Sequence, residues 1–143
     1  MSKKTITVLI PAYNEAPVLP KLFSRLDDLV AAVPHYNFEF LFVNDGSRDD
    51  TLDIIKQHAA KNPRISYINL SRNFGKEIAM CAGIDHANHD ALVIIDADLQ
   101  DPPELIPDMI KLWEEGYDDV YARRSSRLGE SWFKKVTSKY FYK

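Results

Sequence analysis

Five short apolar runs, separated by stretches with helical periodicity, constrain what this chain can fold into. Thr5 to Ala12, Phe38 to Asn44, Arg64 to Leu70, Ala91 to Asp96 and Asp118 to Ala122 read as strands. Ala16 to Val33, Asp49 to Lys61, Lys76 to Asn88 and Pro103 to Glu115 read as the helices between them. Strands alternating with helices of this length predict right-handed crossovers and a parallel sheet covered on both faces. The run Ala91-Leu-Val-Ile-Ile95, aliphatic throughout, predicts a strand buried on both faces. Ser47-Arg-Asp-Asp50 resembles a capping box at the head of the second helix, and Asp101 before Pro102-Pro103 reads as the N-cap of the fourth.

The polar residues cluster where such a sheet would use them. Tyr13-Asn14-Glu15 follows the first strand, Asn44-Asp45-Gly46-Ser47 the second, Ser71 to Lys76 the third, Asp96-Ala-Asp98 the fourth and Arg123-Arg124 the fifth. All five are expected along the carboxyl edge, where open α/β sheets bind ligands. Asp96 and Asp98 are two residues apart at a strand end, so both carboxylates can face one spot. Paired hard oxygens suit Mg²⁺ or Mn²⁺, which fills its remaining positions with water and substrate phosphates. The same Asp-x-Asp pattern also serves as a solvated turn.

The other clusters carry a plain reading beside a functional one. Pro11 to Glu15 can stack on a base and bond a ribose hydroxyl, or simply end a strand and complement a helix dipole. Ser47 reads as an N-cap, which leaves the Asp45 carboxylate for a base or ribose. Lys76 at a helix start can meet a diphosphate or lie in solvent, and Gly75 can supply an unusual backbone angle. Neither Gly-x-x-x-x-Gly-Lys-Ser/Thr nor Gly-x-Gly-x-x-Gly occurs, which speaks against a P-loop NTPase and a dinucleotide oxidoreductase. His35, His58, His86 and His89 show no ligand pairing and read as structural or surface residues.

At 143 residues the chain fits one domain, and its single cysteine, Cys81, excludes an intramolecular disulfide and reads as a small buried residue in a reducing, cytosolic setting. No stretch approaches the roughly eighteen apolar residues of a membrane span, and no signal-peptide segment precedes the first strand. Net charge is −3, unevenly spread: Arg123 to Lys143 holds seven basic residues and one acidic. That tail is where an anionic partner would bind. If Ser131 to Tyr142 is helical, Trp132, Phe133, Val136 and Tyr140 share a face flanked by Lys134, Lys135 and Lys139, as in an interfacial helix on anionic lipid or a core helix with a solvated basic face. The expected organisation is a core over 1–122 and a basic amphipathic segment over 123–143, the start of an acceptor-side region of the same domain.

Pro11 to Glu15, Val43 to Thr51, Arg72 to Lys76, Asp96 to Glu104 and Gly129 to Phe133 together resemble a family 2 glycosyltransferase. The branch it looks most like is the polyprenyl-phosphate group, similar to dolichol-phosphate-mannose synthases and bactoprenol glucosyltransferases. The resemblance implies a GT-A, Rossmann-like sandwich with a mostly parallel sheet, a nucleotide-sugar donor, a divalent metal and inversion at the anomeric carbon. Carried over by position, Pro11, Ala12, Tyr13, Glu15 and Asp45 would hold the nucleoside, with Lys76 near it. Asp96 and Asp98 would bind metal and diphosphate and act as the catalytic pair, with Gln100 completing the coordination. Arg124 and Arg127 match the positions that would meet the acceptor phosphate. Asn44 departs from relatives that carry a second aspartate there, which bears on base recognition.

The implied reaction moves a hexose, with UDP-glucose preferred over GDP-mannose and UDP-N-acetylglucosamine, to a polyprenyl phosphate at the inner face of the cell membrane, in cell-envelope synthesis. No nucleic-acid partner is expected. The chain stops at Lys143 in mid-pattern without a C-cap signal, so the fold is expected to be truncated at its C-terminus, with a longer form membrane-anchored. A catalytically incomplete nucleotide-sugar-binding fragment and a sugar nucleotidyltransferase are the alternatives.

Overall fold

A computed structural model of the chain describes residues 3–123 and 134–138. Its elements run β1 Thr5–Ala12, α1 Leu19–Ala32, β2 Asn37–Asn44, α2 Thr51–Lys61, β3 Ile65–Asn69, α3 Lys76–His86, β4 Ala91–Ile94, a 3-10 turn Pro103–Leu105, α4 Ile106–Glu114, β5 Asp119–Arg123 and β6 Lys134–Ser138. They divide into two compact units, residues 1–103 and 104–143.

The first unit holds a four-stranded parallel sheet in the order β3-β2-β1-β4. Strand β1 is central and buried from Ile6 to Ala12, as an apolar run between two parallel neighbours should be. Side-chain alternation gives its two faces different partners. On one face Phe42 of β2 meets Phe23 of α1, ring centroids 5.1 Å apart, and His58 of α2 stacks on Phe23 at 3.8 Å and 9°. Helix α1 supplies that face through Leu19, Leu22, Phe23, Leu26 and Leu29, a helical repeat of three and four. On the other face Leu9, Leu41 and Val43 pack with Ala79 of α3. The helix comes close there, because a Cβ on Gly83 would stand 2.2 Å from Leu9 Cδ1.

The strand order places the topological switch point at β1. From β1 the chain crosses to β2 and then β3 on one side, and from β3 it returns to β4 on the other. The crevice between loops that leave in opposite directions opens at the carboxyl ends of β1 and β4. Backbone bonds from Asp45 to Ala12, Leu70 to Asn44 and Ile95 to Leu9 carry the pairing to the strand ends, so the loops start level.

The second unit departs from the expected pattern. Instead of a fifth parallel strand, β5 pairs antiparallel with β6, Tyr121 opposite Val136. The helix expected over Ser131 to Tyr142 is replaced at Lys134–Ser138 by this strand. Val136-Thr137, β-branched, and the Asp119–Arg123 strand offered as a partner favour the ladder over an isolated amphipathic helix. Trp132, Phe133 and Tyr140 lie outside the described residues, as do Arg124 and Arg127. Strand β4 also differs from expectation: it ends the four-stranded sheet, is only half-buried, and leaves Ile94 exposed. Cys81, expected inside, is exposed on α3. No helix among the described residues is long and apolar enough to cross a membrane.

Candidate functional site

The loop after β1 turns sharply at Asn14, whose φ of 51° lies in the left-handed region that asparagine tolerates. It is fastened by side chains of the β2–α2 loop. The Asn14 amide donates to Ser47 Oγ at 3.0 Å, the Glu15 amide to Thr51 Oγ1 at 2.9 Å and the Ala16 amide to Asp49 Oδ2 at 3.2 Å. In return the Arg48 amide donates to Asn14 Oδ1 at 2.8 Å. Burial pushes the Asp49 carboxyl up, but the bonds it accepts from the Thr51 hydroxyl and the Thr51 and Ala16 amides outweigh this and hold it below its ordinary value. Helix α2 begins at Thr51, and Ser47, expected to cap it, instead serves the neighbouring loop.

Asp45 departs from expectation as well. Its carboxylate, expected to be left for a base or ribose, is buried and accepts the Phe74 amide at 2.8 Å on Oδ1 and the Gly75 amide at 3.1 Å on Oδ2. Gly46, next to it, has a φ of +66°, and a Cβ there would stand 2.2 Å from the Asn73 amide nitrogen. The β2–α2 and β3–α3 loops thus touch backbone to backbone. Asn44 is buried and donates from Nδ2 to Asn69 Oδ1 at 2.9 Å, a bond between two strand ends.

At the end of β4 the chain forms a tight acidic turn. Asp98 Oδ1 accepts the Gln100 amide at 3.0 Å while Leu99 takes a φ of 66°, a strained angle for leucine. Asp101, expected to cap the fourth helix, instead accepts the Asp96 amide at 3.2 Å and closes the turn on itself. Lys76 Nζ pairs with Asp96 Oδ1.

These three limbs enclose an open cleft of about 200 Å³ lined by Pro11, Ala12, Tyr13, Glu15, Asp45, Lys76, Asp96, Ala97 and Asp98. Every residue expected to hold nucleoside or diphosphate stands in it. Gln100 does not line it, and Arg124 and Arg127 lie outside the described residues. Sequence inspection gave Asp101 to capping and Gly46 to a turn, and it did not single out Asp49 or Thr51, which fasten the Glu15 and Ala16 amides; the alternation Ser47-x-Asp49-x-Thr51 is the signal for these two.

The cleft is electrostatically lopsided. Glu15 is pushed above its ordinary value, first by burial and then by the negative charge of Asp98, Asp49 and Asp96. Among the described residues no group of three or more His, Cys, Asp or Glu side chains forms a closed metal cage. Two carboxylates in an open, negatively polarised cleft fit instead a divalent ion that keeps water and ligand phosphates in its shell. An aromatic face, two anionic limbs and one lysine can together take a nucleotide with a metal-bound diphosphate.

Comparison with known proteins follows the same lines. Residues 7–143 match the family described as Glycosyl transferase family 2. The chain is 48% identical over 137 residues to the glycosyltransferase YkcC of Bacillus subtilis, covering 96% of this chain and 42% of that protein. It is 41% identical over 138 residues to the bactoprenol glucosyl transferase of Shigella phage SfV, covering 96% of this chain and 45% of that protein. The chain therefore spans less than half the length of these relatives. Among solved structures, the mannosyltransferase PcManGT from Pyrobaculum calidifontis in complex with GDP-Man and Mn²⁺ superposes with a TM-score of 0.70 at 22% identity, over 84% of this chain and 35% of that one. Staphylococcus aureus TarS 1-349 in complex with UDP-GlcNAc gives 0.64 at 22% identity, over 81% and 33%. The shared architecture is the GT-A-like α/β fold with its parallel sheet.

Proposed function

Since the chain belongs to glycosyl transferase family 2, we propose that it forms the donor side of an inverting hexosyltransferase that uses a nucleotide-sugar, UDP-glucose before others, and a polyprenyl-phosphate acceptor. The observation that carries this is the cleft at the β1/β4 switch point, lined by Tyr13 and Glu15 together with Lys76, Asp96 and Asp98. Tyr13, 43% exposed, offers a ring face to a base, and Pro11 and Ala12 form the floor beneath it. Glu15 would bond a ribose hydroxyl. Asp96 and Asp98 would hold Mg²⁺ or Mn²⁺, which would supply Lewis-acid stabilisation to a departing diphosphate. Lys76 would add a second positive charge at that end of the donor.

The acceptor chemistry is consistent with a cleft that shows no histidine poised as a base. A phosphate monoester has a second pKa of about 6 and is largely dianionic at neutral pH, so it attacks without a strong general base. The relatives named as bactoprenol glucosyl transferases support this acceptor class, and with it a place at the membrane surface. In that setting Arg124 and Arg127 would meet the acceptor phosphate, and the basic stretch beyond Arg123 would attract anionic lipid.

A thermal-shift panel of UDP- and GDP-sugars with and without Mn²⁺ tests the donor site. Ligand at a hundred times its dissociation constant should add about 2.7 kcal/mol of stability, roughly 8 °C for a chain of this size. If no nucleotide-sugar stabilises the protein more with metal than without, the donor assignment fails. Transfer to polyprenyl phosphate, with this chain and with a longer one, then separates an active transferase from a fragment that binds donor without turning it over.

A further inference from the structure

The loop after β1 hangs on side chains of its neighbour. Residues 14–16 lead toward α1, and their three successive amides each find a side-chain oxygen of the β2–α2 loop or of the first residue of α2. Two of these oxygens belong to one linked pair. Thr51 Oγ1 accepts the Glu15 amide at 2.9 Å and donates its own proton to Asp49 Oδ1 at 2.5 Å. The same Asp49 oxygen accepts the Thr51 amide at 3.0 Å, while Asp49 Oδ2 accepts the Ala16 amide at 3.2 Å. A hydroxyl has one proton, so donation to Asp49 leaves lone pairs to face Glu15. Thr51 is fully buried, whereas Glu15 is half-buried and lines the cleft. Asn14 has separate fastenings, to Ser47 Oγ and the Arg48 amide, so the Thr51 hydroxyl acts at Glu15.

We propose that Thr51 is a positioning residue: its hydroxyl, oriented by Asp49, fixes the Glu15 backbone so that the Glu15 carboxylate is presented to the nucleoside end of the cleft. Glu15 has need of such a hold. Burial, and then the negative charge of Asp98, Asp49 and Asp96, act against its carboxylate where it stands. A side chain opposed in this way gains by turning to solvent, and a fixed backbone limits how far it can turn. Thr51 does this without touching the ligand. The inference rests on the donor reading above.

Titration of UDP in the presence of Mn²⁺ into the wild-type chain, Thr51→Val, Glu15→Ala and the double variant forms a closed cycle. Valine keeps the shape of threonine and removes the hydroxyl. Each single variant should weaken UDP binding by about fivefold, the order of one hydrogen bond. With Glu15 already alanine, Thr51→Val should cost less than about twofold. Thr51→Ser, which restores the hydroxyl, should bind UDP within about twofold of wild type. Losses that multiply in the double variant mean a fold weakened as a whole, and they overturn the inference. Unchanged binding in either single variant overturns it too, as does a serine variant as weak as the valine one. Should Thr51→Val not fold, Asp49→Ala takes its place in the cycle with the same pattern expected, since Asp49 is exposed and its loss leaves the Thr51 hydroxyl without its orienting acceptor. A wild-type chain that binds no UDP removes the donor reading and this inference with it. A wild-type chain that binds UDP, with losses that multiply, removes the inference alone.

Discussion

Replacing Gly46 with alanine should destabilise the protein by about 2.5–4 kcal/mol. The first contribution is conformational: a φ of +66° costs an L-residue about 1 kcal/mol. The second is steric and larger. The new Cβ would stand 2.2 Å from the Asn73 nitrogen and 2.3 Å from the Arg72 carbonyl carbon, where real Cβ contacts essentially never fall under 3.0 Å. Both neighbours are backbone, so no side-chain rotation relieves the overlap, and the β3–α3 loop must retreat by about 1 Å. That retreat stretches the bonds from Phe74 and Gly75 to Asp45. Losing one of them, with the carboxylate still buried, costs about 1.5–3 kcal/mol. Urea unfolding followed by far-UV circular dichroism reads the total, and thermal unfolding should show a fall of roughly 10 °C. Gly46→Asn is the control, because asparagine accepts the left-handed angle but carries the same Cβ. It should recover less than about 1 kcal/mol of the loss. A Gly46→Ala protein within about 0.5 kcal/mol of wild type would refute the close approach of the two loops.

Three further outcomes follow from the cleft and its walls. Glu15 has a folded pKa raised from its ordinary 4.5, so ionising it weakens the fold as pH rises through the raised value; the Tm of Glu15→Gln relative to wild type should therefore be more favourable at pH 7 than at pH 4, measured by differential scanning fluorimetry without metal. Asp49 has the opposite sign: its folded pKa lies below the ordinary 3.8, so Asp49→Ala should lower the Tm at pH 7, modestly because the carboxylate is exposed, and the difference should shrink as pH falls through the depressed value. Asp98→Ala should abolish any Mn²⁺-dependent stabilisation by a nucleotide-sugar while the far-UV spectrum stays unchanged; a retained metal-dependent shift would move the metal away from this turn.

The parallel ladder was legible because its signal is repeated within each element. Ile6 to Ala12 and Phe38 to Val43 are apolar runs of strand length, each bounded by polar turn residues. The ligand-facing residues were legible for a related reason: one sheet edge collects whatever follows each strand, so Tyr13, Glu15, Lys76, Asp96 and Asp98 could be grouped before any geometry was known. Partnership across loops was not legible. Ser47 and Asp101 look like caps because capping is the local use of such residues, whereas their bonds to Asn14 and Asp96 depend on which loops meet. The same holds for Asp45, whose partners lie 29 and 30 residues away. The strand at Lys134–Ser138 was hidden by a helical spacing of aromatic residues, which carries no information about a pairing partner at Asp119–Arg123.

Strand β4 is the last of its sheet in chain order and joins at the edge, where the Thr5 amide donates to the Asp90 carboxylate 85 residues away. One wall of the cleft comes from β1 and the facing wall from this late arrival. Closing so long a loop has an entropic cost that only a nearly finished fold can offset. A growing chain that has laid down its first three strands therefore presents Tyr13 and Glu15 without Asp96 and Asp98 to complete the cleft. On the donor reading proposed above, capture would need β4 docked, so nucleotide affinity would report how far folding has gone.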